Sequence, residues 1–130
     1  MRYLLGTVAA IIILASAWLA WKGGLLMGGT KVSNDVIEMV RSNQDIIMVD
    51  VRTPEEYREK RIPGSILLPD YEIRGRAAEV IPDRNARIVV YCRSGRRSAE
   101  AAKVLKDMGY QNVYDLGGII DWPYETISGE

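Results

Sequence analysis

Short apolar runs alternate with segments of helical spacing along most of this 130-residue chain. Residues 46–49 and 88–91 are continuous apolar runs, which is typical of strands buried on both faces of a sheet. Between them, Thr53 opens a helix-start pattern in which Pro54 occupies the first turn and Glu56 follows three residues after the cap. This alternation predicts an α/β fold in which helices cover both faces of a central parallel sheet.

Weaker patterns extend the same alternation toward both ends of the chain. Ser33 is expected to cap a helix that continues to residue 42. Residues 65–68 predict a second strand, and residues 77–81 predict a helix that ends before a proline. Residues 113–114 predict a further strand near the C-terminus. The sequence shows no internal repeat, and its length fits one domain.

The only cysteine of the chain, Cys92, lies directly after the strand predicted at residues 88–91. It begins a loop that leads into a helix predicted at residues 98–108, and Gly95 allows a turn that a side chain would obstruct. Sites in parallel sheets form beyond the carboxyl ends of the strands, which is where Cys92 lies. We expect the loop amides and the helix dipole to converge on the sulfur and stabilise its thiolate.

The composition of this loop favours a nucleophile over a core cysteine. A lone cysteine is more often a small buried hydrophobe. Burying this whole segment, however, would strand several charges away from water. We therefore interpret Cys92 as a catalytic nucleophile in an anion-binding loop, whose further members are Arg93, Ser94, Gly95, Arg96, Arg97 and Ser98.

Overall composition excludes several other kinds of chemistry. The chain has 17 basic and 17 acidic residues, so no global field attracts nucleic acid. A single cysteine excludes an intramolecular disulfide and a cysteine-based zinc site. Because the chain has no histidine, Cys–His catalysis and histidine-ligated metals are excluded too. We therefore expect no metal and no cofactor.

Three motifs together resemble those of rhodanese domains, which are sulfurtransferases. Along the chain they are an N-terminal signature at residues 50–57 with 62–65, an active-site loop at residues 92–97 and a C-terminal signature at residues 117–122. The resemblance covers residues 32–127. The visible departure is Arg61, because the family often has a histidine before Ile-Pro-Gly.

The resemblance implies a rhodanese-like fold and a two-step transfer of sulfane sulfur. The Cys92 thiolate is expected to attack a small anionic donor such as thiosulfate, release sulfite and retain the sulfur as a persulfide. A thiophilic acceptor, such as a thiol or cyanide, then removes the outer sulfur. The identity of any protein partner leaves no mark in the sequence.

Charged residues near the loop receive expected roles on the same basis. Arg93, Arg96 and Arg97 are expected to attract the anionic donor, and Arg97, which closes the family's loop, is the main candidate. Asp50 and Arg52 end a strand beside the expected site. They either support the site from behind or form a structural ion pair.

Other functions remain open at this point. Cysteine phosphatases, and with them arsenate reductases, are disfavoured because four residues separate Cys92 from Arg97, whereas the phosphatase loop has five. A tethered persulfide carrier or binding module with little turnover is a second possibility. Redox work by an exposed thiol is a third, and it would need an external thiol because the chain has no resolving cysteine.

The first thirty residues differ in character from the rest. Residues 4–21 carry no charge, and as a helix this run would be ~27 Å long, close to the hydrocarbon thickness of a bilayer. Trp18 and Trp21 fit an aromatic belt at one interface. The sequence therefore predicts a membrane anchor at residues 1–22, a glycine-rich tether at residues 23–31 and a rhodanese-like domain at residues 32–130.

The alternative for the first segment is a cleaved signal peptide. Residues 15–17, Ala-Ser-Ala, have the small-x-small form of a cleavage site. They lie inside the apolar run, however, and the run is longer than a usual signal core. We expect an anchor with its amino terminus inside, which places the domain outside the cytoplasm, in the periplasm. Export after signal cleavage is the alternative.

Overall fold

The structure is a computed structural model that describes residues 34–42 and 45–130. The predicted hydrophobic segment at residues 1–22, the tether at residues 23–31 and the Ser33 cap lie outside the described residues. Within the described ranges, none of the helices has both the length and the apolar composition needed to cross a bilayer.

Helices and strands alternate along the described chain. The helices are α1 (Asn34–Arg41), α2 (Pro54–Glu59), α3 (Ile73–Val80) and α4 (Arg96–Asp107). The strands are β1 (Ile46–Asp50), β2 (Ile66–Leu67), β3 (Arg87–Cys92) and β4 (Asn112–Gly118). Short 3₁₀ helices span Asp70–Glu72 and Ile119–Asp121.

The four strands form one parallel sheet in the order β2-β1-β3-β4. Strand β3 pairs with β1 on one side and with β4 on the other, and every β3 residue after Arg87 is buried. Asp50 pairs with Tyr91, so the end of β1 lies beside the end of β3. The predicted central parallel sheet is confirmed, and it brings Asp50 and Cys92 to the same edge.

Helices pack on both faces of this sheet, as the sequence predicts. On one face, α3 and α4 contribute Ile73, Ala77, Ala101 and Leu105 to a core cluster that also contains Cys92. On the opposite face, α1 contributes Val36 to a second cluster that is built mainly from the following sheet and loop residues: Met48, Ile62, Val89, Tyr91, Leu116 and Ile119. The cysteine therefore belongs to the α3–α4 side of the molecule.

Some element boundaries differ from the sequence prediction. Helix α4 begins at Arg96, two residues before the predicted start, because Gly95 makes the turn and serves as its cap. Strand β4 continues to Gly118, well beyond residues 113–114, although aspartate and glycine have low strand propensity. Pairing with the buried strand β3 outweighs that propensity.

Candidate active site

Cys92 is the last residue of β3, and its side chain is almost fully buried, with 1% of its surface exposed. Gly95 has a φ of 106°, a left-handed conformation that a residue with a side chain rarely adopts. This turn directs the Gly95 N–H to the Cys92 sulfur at an N–S distance of 3.0 Å. The sulfur thus accepts an amide hydrogen bond where α4 begins, and the positive end of the helix dipole lies there.

Ser98 contacts the same sulfur from the first turn of α4. The Cys92 thiol donates to Ser98 Oγ across 3.5 Å, and the serine side chain is fully buried. Ser98 Oγ is also 3.1 Å from the Gly95 carbonyl oxygen and 3.4 Å from the Gly117 carbonyl oxygen. The last loop residue named by the sequence therefore lies inside the site, between the loop and β4.

The end of β4 supports the loop at very close range. A bulge shifts the β3–β4 register, so that Asp115 pairs with Val90 but Gly117 pairs with Tyr91. The next glycine, Gly118, packs so tightly that a Cβ there would lie 2.7 Å from the Ser94 Cα and closer still to the Arg93 carbonyl oxygen. This contact gives the C-terminal motif a physical role, because only glycine fits beneath the loop.

Arg97 forms a bidentate ion pair with Glu56 of α2. Its Nη1 and Nη2 donate to the two carboxylate oxygens at 2.8 and 2.9 Å. This hydrogen bonding lowers the pKa of Glu56 to about 2 and raises the pKa of Arg97. The expected role of Arg97 in donor binding stays a prediction, and the structure adds that its guanidinium is already engaged.

Glu56 is a site residue that the sequence analysis missed. A charge-rich stretch such as residues 55–61 is typical of a solvated helix face, but only 23% of the Glu56 side chain is exposed. The same carboxylate accepts from the Thr53 N–H at 3.2 Å, and Thr53 Oγ1 accepts from the Glu56 N–H at 3.3 Å. The predicted capping box is therefore present, and it holds Glu56 toward Arg97. The signal available in the sequence was the position of Glu56, three residues after the Thr53 cap.

Asp50 and Arg52 form a buried ion pair behind the site. Asp50 Oδ1 accepts from the Arg52 backbone N–H at 2.9 Å, and Oδ2 accepts from Nη2 at 2.7 Å. Arg52 Nη2 also donates to the Lys60 carbonyl oxygen at 2.5 Å. Among the described residues, no hydrogen bond joins either side chain to Cys92. The pair instead fixes the end of α2, the helix that carries Glu56.

Tyr91, which precedes the cysteine, has a fully buried hydroxyl with two partners. It accepts from the Ile62 N–H at 3.1 Å and lies 3.0 Å from Ser65 Oγ. Burial raises the pKa of Tyr91. The predicted N-terminal signature at residues 62–65 is thereby held against β3, a contact that the sequence pattern alone did not indicate.

Comparison with known proteins matches this arrangement to one family. Residues 33–124 match the family described as Rhodanese-like domain. The chain belongs to the rhodanese-like family. Thiosulfate sulfurtransferase PspE of Escherichia coli (strain K12) is 38% identical over 81 residues, which are 62% of this chain and 78% of that protein. A sulfurtransferase of Allochromatium vinosum is 40% identical over 91 residues, covering 69% of this chain and 83% of that protein.

Solved structures agree with this assignment. A structure described as rhodanese with anions from E. coli has a TM-score of 0.61 and 37% identity, and the match covers 65% of this chain and 99% of that chain. A thiosulfate sulfurtransferase from Pseudomonas aeruginosa has a TM-score of 0.64 and 31% identity, covering 73% of this chain and 19% of that chain. Sequence and structural relatives together identify this rhodanese-like chain as a sulfurtransferase.

A groove of about 290 Å³ lies beside the rhodanese loop. Its lining combines cations, carboxylates and two isoleucines: Arg52, Glu56, Glu59, Lys60, Arg93, Ile119 and Ile120. Arg93 and Arg96 are both exposed. In the part of the chain that the structure describes, neither guanidinium forms an ion pair. Two of the three predicted arginines are therefore available to an anion, and Arg93 faces the groove.

Proposed function

We propose that this rhodanese-like protein transfers a sulfane sulfur from a small anionic donor, such as thiosulfate, to a thiophilic acceptor through a persulfide on Cys92. The observation that carries the proposal is the placement of the Cys92 sulfur. It lies at the end of the central strand, accepts the Gly95 N–H and is next to the first turn of α4. An amide hydrogen bond to the sulfur and a helix N-terminus beside it are the surroundings in which a cysteine acts as a nucleophile.

The first step loads the enzyme. The thiolate of Cys92 attacks the outer sulfur of thiosulfate, a new S–S bond forms, and the old S–S bond breaks. The electron pair of the broken bond leaves with sulfite, which takes up the negative charge of the thiolate, and the outer sulfur keeps its own negative charge in the persulfide. No redox cofactor is needed, because one S–S bond is broken for the S–S bond that forms. Main-chain N–H groups of the loop stabilise the new anion as oxyanion-hole donors do.

The second step returns the thiolate. Cyanide attacks the outer sulfur and leaves as thiocyanate, while the electron pair of the broken S–S bond stays on Cys92. A thiol acceptor, attacking as its thiolate, takes the sulfur from the protonated persulfide in the same way. Dividing the transfer into two steps allows donor and acceptor to use the same nucleophile in turn.

The arginines have separate roles in this scheme. Arg93 and Arg96 are exposed and attract the anionic donor to the mouth of the loop. The charge of Arg97 is compensated by Glu56, so its first role is to fix the end of the loop.

Intact-protein mass spectrometry tests the proposal. The reduced full-length protein is incubated with thiosulfate, beside a Cys92→Ser variant. We expect the wild type to gain one sulfur atom that cyanide removes, and the serine variant to gain none. Loading without repeated turnover on small acceptors would make the chain a carrier. Absence of loading from both thiosulfate and polysulfide, in folded protein, would remove the persulfide from the mechanism.

We propose further that residues 1–22 anchor the protein to a membrane with the domain on the periplasmic side. The support is the uncharged run at residues 4–21 and the tryptophans that end it, Trp18 and Trp21. Carbonate extraction of membranes, combined with N-terminal sequencing, tests this. An anchored protein stays in the membrane with Met1 or Arg2 at its terminus. Release together with a new terminus after residue 17 would instead establish export by signal cleavage.

A further inference from the structure

The Ser98 hydroxyl lies at a branch point next to the Cys92 sulfur. It is fully buried, and three hydrogen-bonding atoms lie within 3.5 Å of Oγ: Sγ of Cys92, which donates to it as a thiol, and the carbonyl oxygens of Gly95 and Gly117. A hydroxyl carries a single hydrogen and cannot donate to all three at once. Its hydrogen therefore has alternative positions within one fixed side-chain placement.

The charge on the sulfur decides between these positions. Carbonyl oxygens can only accept, so beside a neutral thiol the Ser98 hydroxyl donates to a carbonyl and Oγ accepts from the S–H. A thiolate has no hydrogen to donate, so the contact stays favourable only if the hydroxyl turns toward Sγ. The Gly95 carbonyl keeps the Ala99 N–H at 3.2 Å as a donor, so this turn does not leave it unpaired.

We propose that Ser98 is a second catalytic residue, whose hydroxyl donates to Sγ of Cys92 whenever that atom is negatively charged. This role rests on the proposed persulfide mechanism, in which Sγ is charged twice. It is a thiolate before it attacks the donor, and it regains the electron pair when the bond to the outer sulfur breaks. In the persulfide between these steps, Sγ is neutral and the hydroxyl returns to a carbonyl.

The hydroxyl and the loop amide stabilise the sulfur from different elements. The Gly95 N–H is fixed by the backbone of the loop, whereas Ser98 belongs to α4. Removing the hydroxyl leaves the charges of the loop in place: Arg93, Arg96 and Arg97, together with Glu56, which pairs with Arg97. A change in sulfur reactivity in such a variant therefore reports the hydroxyl itself.

Three substitutions in the full-length protein distinguish the effect of the hydroxyl from the effect of side-chain size. Ser98→Ala removes the hydroxyl. Ser98→Val and Ser98→Thr introduce side chains of nearly equal volume, of which only threonine has a hydroxyl. Two rates are measured at pH 7, alkylation of Cys92 by iodoacetamide and removal of the persulfide sulfur by cyanide. We expect both rates to fall roughly tenfold in the alanine and valine variants, and the threonine variant to stay within about threefold of the wild type.

Ser65→Ala is the matched control. Ser65 is also buried, but its hydroxyl bonds Tyr91 and Ile62 rather than the sulfur. It is expected to lower stability without changing the alkylation rate. Equal rates in the threonine and valine variants would overturn the role of Ser98. If the wild type gains no sulfur from thiosulfate, the proposed function fails, while the alkylation comparison still decides the role of the hydroxyl.

Discussion

Replacing Glu56 by glutamine removes one charge and puts an amide NH₂ donor in place of the carboxylate oxygen that accepts from Arg97 Nη2. Glutamine is the other residue that completes a capping box at this position, so its amide oxygen can keep the bond to the Thr53 N–H. The bidentate pair with Arg97 is lost as an ion pair. Glu56→Gln therefore disrupts the pairing between α2 and the end of the active-site loop while it keeps the helix cap.

The lowered pKa of Glu56 sets the magnitude of the effect. The value falls from 4.5 to about 2, and each pKa unit corresponds to ~1.4 kcal/mol. The full difference, roughly 3 kcal/mol, is an upper bound because both side chains keep contact with solvent, which screens the pair. We expect Glu56→Gln to lower the free energy of unfolding by about 1–2 kcal/mol at pH 7.

The pH dependence distinguishes this cause from others. Because the folded pKa is lowered, the stabilisation is complete above the unfolded pKa of 4.5 and is lost as pH falls toward about 2. Urea unfolding of the full-length protein, followed by circular dichroism from pH 6 to pH 3, should show the difference between wild type and variant narrowing by more than half. Glu55→Gln, on an exposed neighbour, should stay within about 0.5 kcal/mol of wild type.

A double-mutant cycle assigns the effect to the pair. Arg97→Met is measured alone and together with Glu56→Gln, and we expect a coupling energy of about 1–2 kcal/mol. A loss of stability in Glu56→Gln that does not change with pH, or a coupling energy near zero, would refute the electrostatic reasoning. The stabilising role of Glu56 would then not come from its charge pairing with Arg97.

Two further substitutions test the supports of the loop. Gly118→Ala places a Cβ against the Arg93–Ser94 backbone, so we expect a loss of about 1–3 kcal/mol in urea unfolding and slower sulfur loading by mass spectrometry. Gly75→Ala is its control, since a Cβ there meets open space; equal behaviour of the two variants would contradict the packing argument. Tyr91→Phe leaves the Ile62 N–H without its acceptor and should cost about 1–3 kcal/mol. Because burial raises the pKa of Tyr91, its phenol stays neutral and this loss should be the same at pH 6 and pH 9; a loss confined to high pH would refute that account.

Local patterns in the sequence were sufficient for the sheet and for the start of α2. Residues 46–49 and 88–91 are apolar without interruption because the strands they predict are covered on both faces. The capping box at Thr53 and Glu56 could also be predicted, since both of its hydrogen bonds lie within four residues. In these cases the stabilising contacts are close in sequence or follow directly from burial.

Contacts between distant residues could not be read in this way. The pairing of Arg97 with Glu56 joins residues 41 positions apart, and nothing in either segment specifies the other. The length of β4 depends on pairing with β3 rather than on its own residues, and the position of Ser98 beside Gly117 depends on that pairing in turn. The sequence predicted the residues of the active-site loop, but their partners, with Glu56 among them, follow from the tertiary fold.

The location of the sulfur at the end of β3 has a consequence for how new specificity can arise. Strand β3 is bonded on both sides and buried along its length, so the nucleophile is held by the most constrained part of the molecule. Exposed side chains such as Arg93, Arg96 and Ile120 lie on the surface where we expect a donor or acceptor to bind. Substitutions there can change the choice of substrate without disturbing the core, so the reaction and its selectivity can evolve separately.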